Sequence, residues 1–325
     1  MNMDIVNQKN SSHDKPDYLE NGKEIPGPIF IVGVSRSGTT LMRNILNESD
    51  QIGISRENHF LGHLLGSEGM RYKFQQFGDL SVDENVHKLV DFIYSGEIEK
   101  SSKLRRISAH WRWILRRIDR DVFLQKVLDS DRSERALFTI MMECFAERKG
   151  KQIIGEKTPA HIRYVPTLMD WYPNARVIHM IRDPRAVFVS EYNRRLKEAQ
   201  SVPFKQLKKI PYLLKLYLLA QTTVTWAESI NLYHQYSEKY PGRYYALKFE
   251  DLVREPEKNI SNLCNYLGVE FQEKMLHQSV VSMGFQAGKS GFDSQAADRW
   301  KKNIDPWMNT WLTRHFRQEL RALGY

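Results

Sequence analysis

Short apolar runs recur along the chain, each followed by a segment of helical periodicity. The run at 29–34 (IFIVGV) leads into a helix from Gly38, and the run at 152–155 into a helix near His161. A third run at 175–181 (ARVIHMI) precedes a helix from Pro184, and a fourth at 243–249 precedes a helix over 256–267. Apolar strands alternating with helices predict an α/β fold, a central parallel sheet with helices on both faces. Two longer stretches, 57–148 and 196–240, read as mostly helical insertions. They follow the carboxyl ends of strands, where open α/β sheets build their substrate sites. Residues 1–24 are polar and read as a flexible tail, and 25–325 as a single domain without internal repeats.

The first strand-to-helix turn carries chemistry. In Gly33-Val-Ser-Arg-Ser-Gly38-Thr-Thr40 two glycines flank four residues, as in a nucleotide phosphate loop, but Thr39 stands where that loop has its lysine. Glycines allow the amide hydrogens to turn toward an anion, and the following helix adds its positive end. Arg36 supplies a planar fork for an oxyanion, and Ser37, Thr39 and Thr40 supply hydroxyls. The same residues also suit an ordinary turn, so the loop alone favours anion binding only modestly.

The stretch from Val177, VIHMIRDPRAVFVSEYNRR, repeats the arrangement. Arg182 ends a strand, Asp183 is a suitable helix N-cap and Pro184 suits the first helical position. Ser190 and Arg194 lie four residues apart on one helix face and could converge with Arg182 on a second anion. Two such sites on one sheet suit a nucleotide with phosphates at both ends of its ribose.

The pair GVSRSGTTL and IRDPRAVFVS resembles the 5′-phosphosulfate loop and 3′-phosphate motif of sulfotransferases that use 3′-phosphoadenosine-5′-phosphosulfate (PAPS). SRSGTTLMRNIL, with a glutamate shortly after it, is most similar to the tyrosylprotein sulfotransferase branch and its bacterial relatives. The resemblance covers about 29–267 and implies a P-loop-like sulfotransferase fold and metal-independent sulfuryl transfer. It assigns Arg36, Ser37, Gly38, Thr39 and Thr40 to the 5′-phosphosulfate, and Arg182, Ser190 and Arg194 to the 3′-phosphate. It places the catalytic base at Glu57 and the lysine that steadies the sulfuryl group at Lys157, with Arg36 beside them. Arg299, before Trp300, corresponds to a residue closing over the nucleotide, and a serine assisting transfer corresponds to Ser290 or Ser294. The family tyrosine before a late glutamate is Phe249 here, so one hydroxyl near the nucleotide is missing.

A formal charge of +9 calls for an anionic partner without naming it. Residues 103–120 (KLRRISAHWRWILRRIDR) hold seven basic residues and one acid on an amphipathic helical pattern. That pattern reads first as a core-docking helix with a solvated charged face, and second as a recruiter of an acidic substrate. Two cysteines, Cys144 and Cys264, exclude a disulfide scaffold. His59, His63 and His161 have no partners at metal-ligand spacing backed by carboxylates, so no metal is expected, and the absence of targeting signals suggests a cytoplasmic protein without a transmembrane segment. Two other functions remain open: a small-molecule kinase using the same loop, and a basic nucleic-acid-binding module. The residues do not identify the acceptor or the oligomeric state.

Overall fold

The computed structural model describes residues 19–20, 23–24, 27–65, 77–95, 117–197, 202–278 and 290–325. The expected tail therefore lies almost wholly outside the described residues, as does 103–116 of the basic segment.

Five strands form one parallel sheet: β1 (Ile29–Gly33), β2 (Ile52–Ser55), β3 (Ile153–Lys157), β4 (Arg176–Ile181) and β5 (Tyr244–Lys248). Their order across the sheet is β2-β3-β1-β4-β5. Four of these strands follow the apolar pattern. The fifth, β2, is not predicted from it, because QIGIS is too short and too closely spaced after the first helix to stand out. All four of its residues are nevertheless buried.

The alternation of β1 explains why helices cover both faces. Phe30 and Val32 point into one core cluster, with Phe60, Phe138 and Val177. Ile29 and Ile31 point into another, with Met42, Ile45 and Leu46 of helix α1 (Thr39–Glu48). Successive side chains of a strand face opposite sides, so a strand apolar at every position needs a helix layer on each. On the first face, Phe138 lies stacked between Phe30 and Phe60, with ring centroids 6.0 and 5.0 Å away.

Within the expected 57–148 insertion, four helices are described: α2 (Phe60–Leu65), α3 (Asp83–Ser95), α4 (Arg120–Leu128) and α5 (Glu134–Glu147). The segment near His161 is a 3-10 turn at Pro159–Tyr164 followed by α6 (Val165–Trp171). Helix α7 (Pro184–Lys197) follows β4, with α8 (Val202–Leu207) and the long α9 (Pro211–Lys239) forming the second insertion. After β5 come α10 (Phe249–Arg254), α11 (Pro256–Leu267), α12 (Pro306–His315) and α13 (Arg317–Ala322).

Helix α9 is fastened to the sheet by polar contacts. His179 of β4 is fully buried and bridges Ser229 of α9 (2.9 Å) and Tyr244 of β5 (2.6 Å). Burial pushes its pKa down to about 3, so it is neutral and its two ring nitrogens serve as hydrogen-bonding groups. Among the described residues no helix is long and apolar enough to cross a membrane. Cys144 and Cys264 are free and buried, and burial raises both thiols to about 11.

Phe138→Ala removes the central ring of this stack. It should lower stability by about 3–5 kcal/mol, read from the urea unfolding midpoint with an unchanged slope.

Candidate active site

Strand order fixes where a ligand can enter. From β1 the chain leaves toward β2, and from β4 it leaves in the opposite direction toward β5, so β1 and β4 part at their carboxyl ends. A crevice at such a switch point is where open α/β sheets take ligands. The two strand-to-helix turns singled out in the sequence open side by side there.

The first turn is built on left-handed backbone. Gly33 has φ 142°, Gly38 φ 98°, and Arg36 between them φ 73°. A side chain at Gly38 would put its Cβ 2.5 Å from the Phe249 ring, and one at Gly33 would meet the Met180 carbonyl at 2.5 Å. Arg36 has no glycine's freedom, and a non-glycine residue held there costs about 1–3 kcal/mol. Contacts from the second turn hold it in place. Arg182 Nη1 donates to the Arg36 carbonyl at 3.0 Å, and Arg36 Nε donates to Ser190 Oγ at 3.1 Å.

Ser37 Oγ is turned inward and donates to the Val34 carbonyl at 2.7 Å, closing the loop on itself. Thr39 is buried, whereas Thr40 stands in the path of Lys157, whose Nζ lies 3.2 Å from its Oγ1. The positive charge missing from the loop is therefore delivered by the neighbouring strand β3.

Lys157 also forms a short ion pair with Glu57 Oε1, and His59 Nε2 lies 3.5 Å from Glu57 Oε2. Burial works to raise the Glu57 pKa, but the His59 hydrogen bond and the Lys157 charge outweigh it and hold the carboxyl at about 2. Burial lowers the Lys157 pKa, against the pull of Glu57. Nearby on α1, burial and the charge of Arg56 bring the Arg43 guanidinium down to about 10, and its buried Nε has no hydrogen-bond partner.

A buried network that the sequence did not reveal holds the Glu57 loop. Glu156 Oε1 accepts from the Asn58 amide (3.3 Å) and from the Thr158 hydroxyl, while Oε2 meets His161 Nδ1 at 3.0 Å. Thr158 Oγ1 also accepts from the amides of Asn58 and His59. Glu156 and Lys157 are adjacent in a strand and point to opposite faces, so one anchors the loop while the other reaches the carboxylate it presents. The only sequence signal was a charged pair, EK, at the end of an apolar strand.

The second turn is arranged differently from the expected three-residue cluster. Asp183 caps α7 as anticipated, accepting from the Arg185 amide at 2.8 Å. Arg182 is half-buried, with Nη2 donating to the Ala296 carbonyl at 3.1 Å and its guanidinium 4.0 Å over the Phe249 ring. Burial lowers its pKa to about 10, and its Nε is buried with no hydrogen-bond partner. Trp226 of α9 donates to its backbone carbonyl at 2.8 Å. Arg194 reaches Glu191 at 2.6 and 2.9 Å, so of the three it is Arg182 and Ser190 that meet the first loop.

Phe249, read as the place of a missing hydroxyl, supports both turns at once by packing on Gly38 and under Arg182. Beside it, buried Glu250 accepts from the Asp183 amide at 3.2 Å and from Tyr325 at 2.8 Å. Arg299 pairs with Asp293, and Trp300 is a core residue whose face is covered by Arg185 at 4.3 Å. Ser290 is exposed, whereas Ser294 begins the 3-10 turn that presents the Ala296 carbonyl to Arg182.

The Sulfotransferase family model matches residues 28–273. A putative protein-tyrosine sulfotransferase from Caenorhabditis briggsae is 24% identical over 77% of this chain and 68% of its own length. Omega-hydroxy-beta-dihydromenaquinone-9 sulfotransferase Stf3 of Mycobacterium tuberculosis is 27% identical over 42% of this chain, which spans a third (33%) of that protein. The solved sulfotransferase domain from the curacin biosynthetic pathway superposes with TM-score 0.50 at 19% identity, over 93% of this chain and 99% of that one.

Gly38→Ala forces a methyl group into the Phe249 ring on left-handed backbone. It should cost about 1–3 kcal/mol of stability, and a thermal melt that leaves Tm unchanged would show the loop to be looser than described.

Proposed function

The chain belongs to the Sulfotransferase family, and we propose that it moves a sulfuryl group from PAPS to an acceptor hydroxyl or amine by in-line, metal-independent displacement. The observation that carries this reading is the junction of the two anion-binding turns, with Arg36 of the first bonded to Ser190 of the second. A nucleotide with a phosphate on each side of its ribose needs two such turns at a distance fixed by one rigid sheet. The left-handed glycine loop and the unpartnered, buried Nε atoms of Arg182 and Arg43 suit an anionic guest.

Arg36, Gly38, Thr39, Thr40 and the loop amides hold the 5′ end, with Ser37 closing the loop from within. Arg182, Ser190 and Arg194 hold the 3′-phosphate, and Arg299 lies in the segment that covers the nucleotide. The acceptor oxygen or nitrogen attacks sulfur as the bond from sulfur to the 5′-phosphate oxygen breaks, releasing 3′-phosphoadenosine-5′-phosphate (PAP). Glu57 takes the acceptor's proton. Lys157 turns from Glu57 to the charge that develops on the leaving oxygen and the sulfuryl group. The ion pair of Glu57 and Lys157 thus keeps base and cation adjacent until donor charge draws the lysine away.

Three measurements follow. Titration calorimetry without metal should give tight binding of PAP, with affinity collapsing for 5′-AMP. Preference for Mg-ATP would favour a kinase instead, and steeply salt-dependent RNA or DNA binding would favour a nucleic-acid module. Glu57→Gln should lower kcat by at least about 100-fold while PAP affinity is retained, whereas a smaller loss would move the base elsewhere, first to His59.

The pH dependence has a definite sign. With a pKa depressed to about 2, Glu57 stays ionised and competent as a base throughout the usual range. The acid side of the kcat/KM profile should be flat between about pH 5 and 8 as far as Glu57 is concerned. An acid limb near pH 6 that shifts in Glu57→Asp would contradict the ion pair as described.

A further inference from the structure

One face of the molecule departs from the usual burial of large apolar side chains. Along the first half of α9, Tyr212 (60% exposed), Leu213, Leu216, Tyr217 and Val224 turn outward, continuing from Ile210 in the preceding turn. Beside them on α12, Trp307 and Trp311 stand one helical turn apart, 44% and 50% exposed. The two rows are continuous: the Tyr212 and Trp307 rings lie 6.5 Å apart, and Lys215 is paired with Asp305 at 2.6 Å. The opposite faces of both helices are spent on the core, through Leu214 and Leu218 of α9 and Met308 and Leu312 of α12. Contiguous exposed apolar surface of this kind marks an interaction site.

The surrounding charge selects the partner. From Ala199 to Trp226 the sequence has four lysines and no acidic residue. Exposed Lys205, Lys208 and Lys209 cluster at the α8–α9 turn, next to Ile210 and Tyr212, and Lys302 and Arg314 are exposed near the tryptophans. Tryptophan and tyrosine, with an apolar body and a polar edge, between lysines that reach outward match the boundary between acyl chains and anionic headgroups. A protein partner or a second copy would need a complementary acidic rim, and the stretch that carries the face offers no acid of its own.

The face also has a direction. Trp226 is level with the carboxyl end of β4 through its bond to Arg182, and α9 then continues toward the amino end of β5. The stretch from Trp226 back to Pro211 is about 22 Å of helix that lies beyond the carboxyl end of β4. The exposed row therefore lies on the same side of the sheet as Glu57 and Lys157.

We propose that the α8–α9 turn and the outer faces of α9 and α12 dock this protein onto an anionic lipid bilayer, so that its crevice works at the membrane surface. Docking does not depend on the identity of the donor and can be tested without turnover.

The test is cosedimentation of the full chain with vesicles containing about 30% phosphatidylglycerol in phosphatidylcholine, against vesicles of phosphatidylcholine alone. Binding should require the anionic lipid and weaken with added salt. Lys208→Glu combined with Lys209→Glu should weaken it at least about 20-fold, at roughly fivefold for each lysine charge. Trp307→Ser combined with Trp311→Ser should abolish it while PAP affinity and Tm are retained; Lys301→Glu, in the 3-10 turn before α12 and already paired with Asp298, serves as the surface control. No sedimentation with anionic vesicles would overturn the proposal, as would binding indifferent to the lysine reversals. A concentration-dependent dimer in analytical ultracentrifugation that the tryptophan variants dissolve, with no vesicle binding, would assign the face to self-association instead.

Discussion

The hydrogen bond from Arg36 to Ser190 joins two segments 154 residues apart in sequence, and the rest of the proposed site is arranged around it. Each segment is a strand-to-helix turn with its own local reason to bind an anion. Only the bond between them, backed by Arg182 on the Arg36 carbonyl, makes one crevice of the two. It also explains why Arg36 tolerates left-handed backbone. The strain is balanced by two contacts from the opposite turn, so the geometry of the first loop is set by the second.

A parallel logic governs the proposed chemistry. Glu57 is carried by a loop with no regular structure of its own, and such a loop would not hold a carboxylate in place unaided. The buried carboxylate of Glu156 and the hydroxyl of Thr158 receive its backbone amides, and adjacent Lys157 meets its side chain. One strand end thereby supplies both the support of the base and its counter-charge. The opposing influences on the Glu57 pKa express the same arrangement: burial alone would favour the neutral acid, while His59 and Lys157 keep it charged.

Much of this was legible in the sequence because it rests on local rules. Apolar runs announce four of the five strands, and their ends in glycine or in Arg-Asp-Pro mark the two strand-to-helix turns that meet at the crevice. The two motifs, by their resemblance to PAPS-dependent sulfotransferases, mark the family without reference to the sheet order. The remainder depends on long-range contact, which spacing does not encode. The strand at Ile52–Ser55 is too short to assert itself without its neighbour β3. Phe249 looked like the loss of a hydroxyl, yet its ring supports Gly38 and Arg182 together. Trp300 marks the motif that carries Arg299, but tertiary packing places the tryptophan itself in the core beneath Arg185. Arg194 shares a helix face with Ser190, as its spacing required, although its guanidinium is held by Glu191, a nearer partner whose role the motif does not mark.

The most direct test of the central claim is a double-mutant cycle on PAP affinity with Arg36→Ala and Ser190→Ala, measured by calorimetry. If the two turns form one site through this bond, the pair should couple by about 0.5–3 kcal/mol. Strictly additive losses, at full PAP affinity in the parent protein, would mean that the turns act independently and that the bond between them organises nothing.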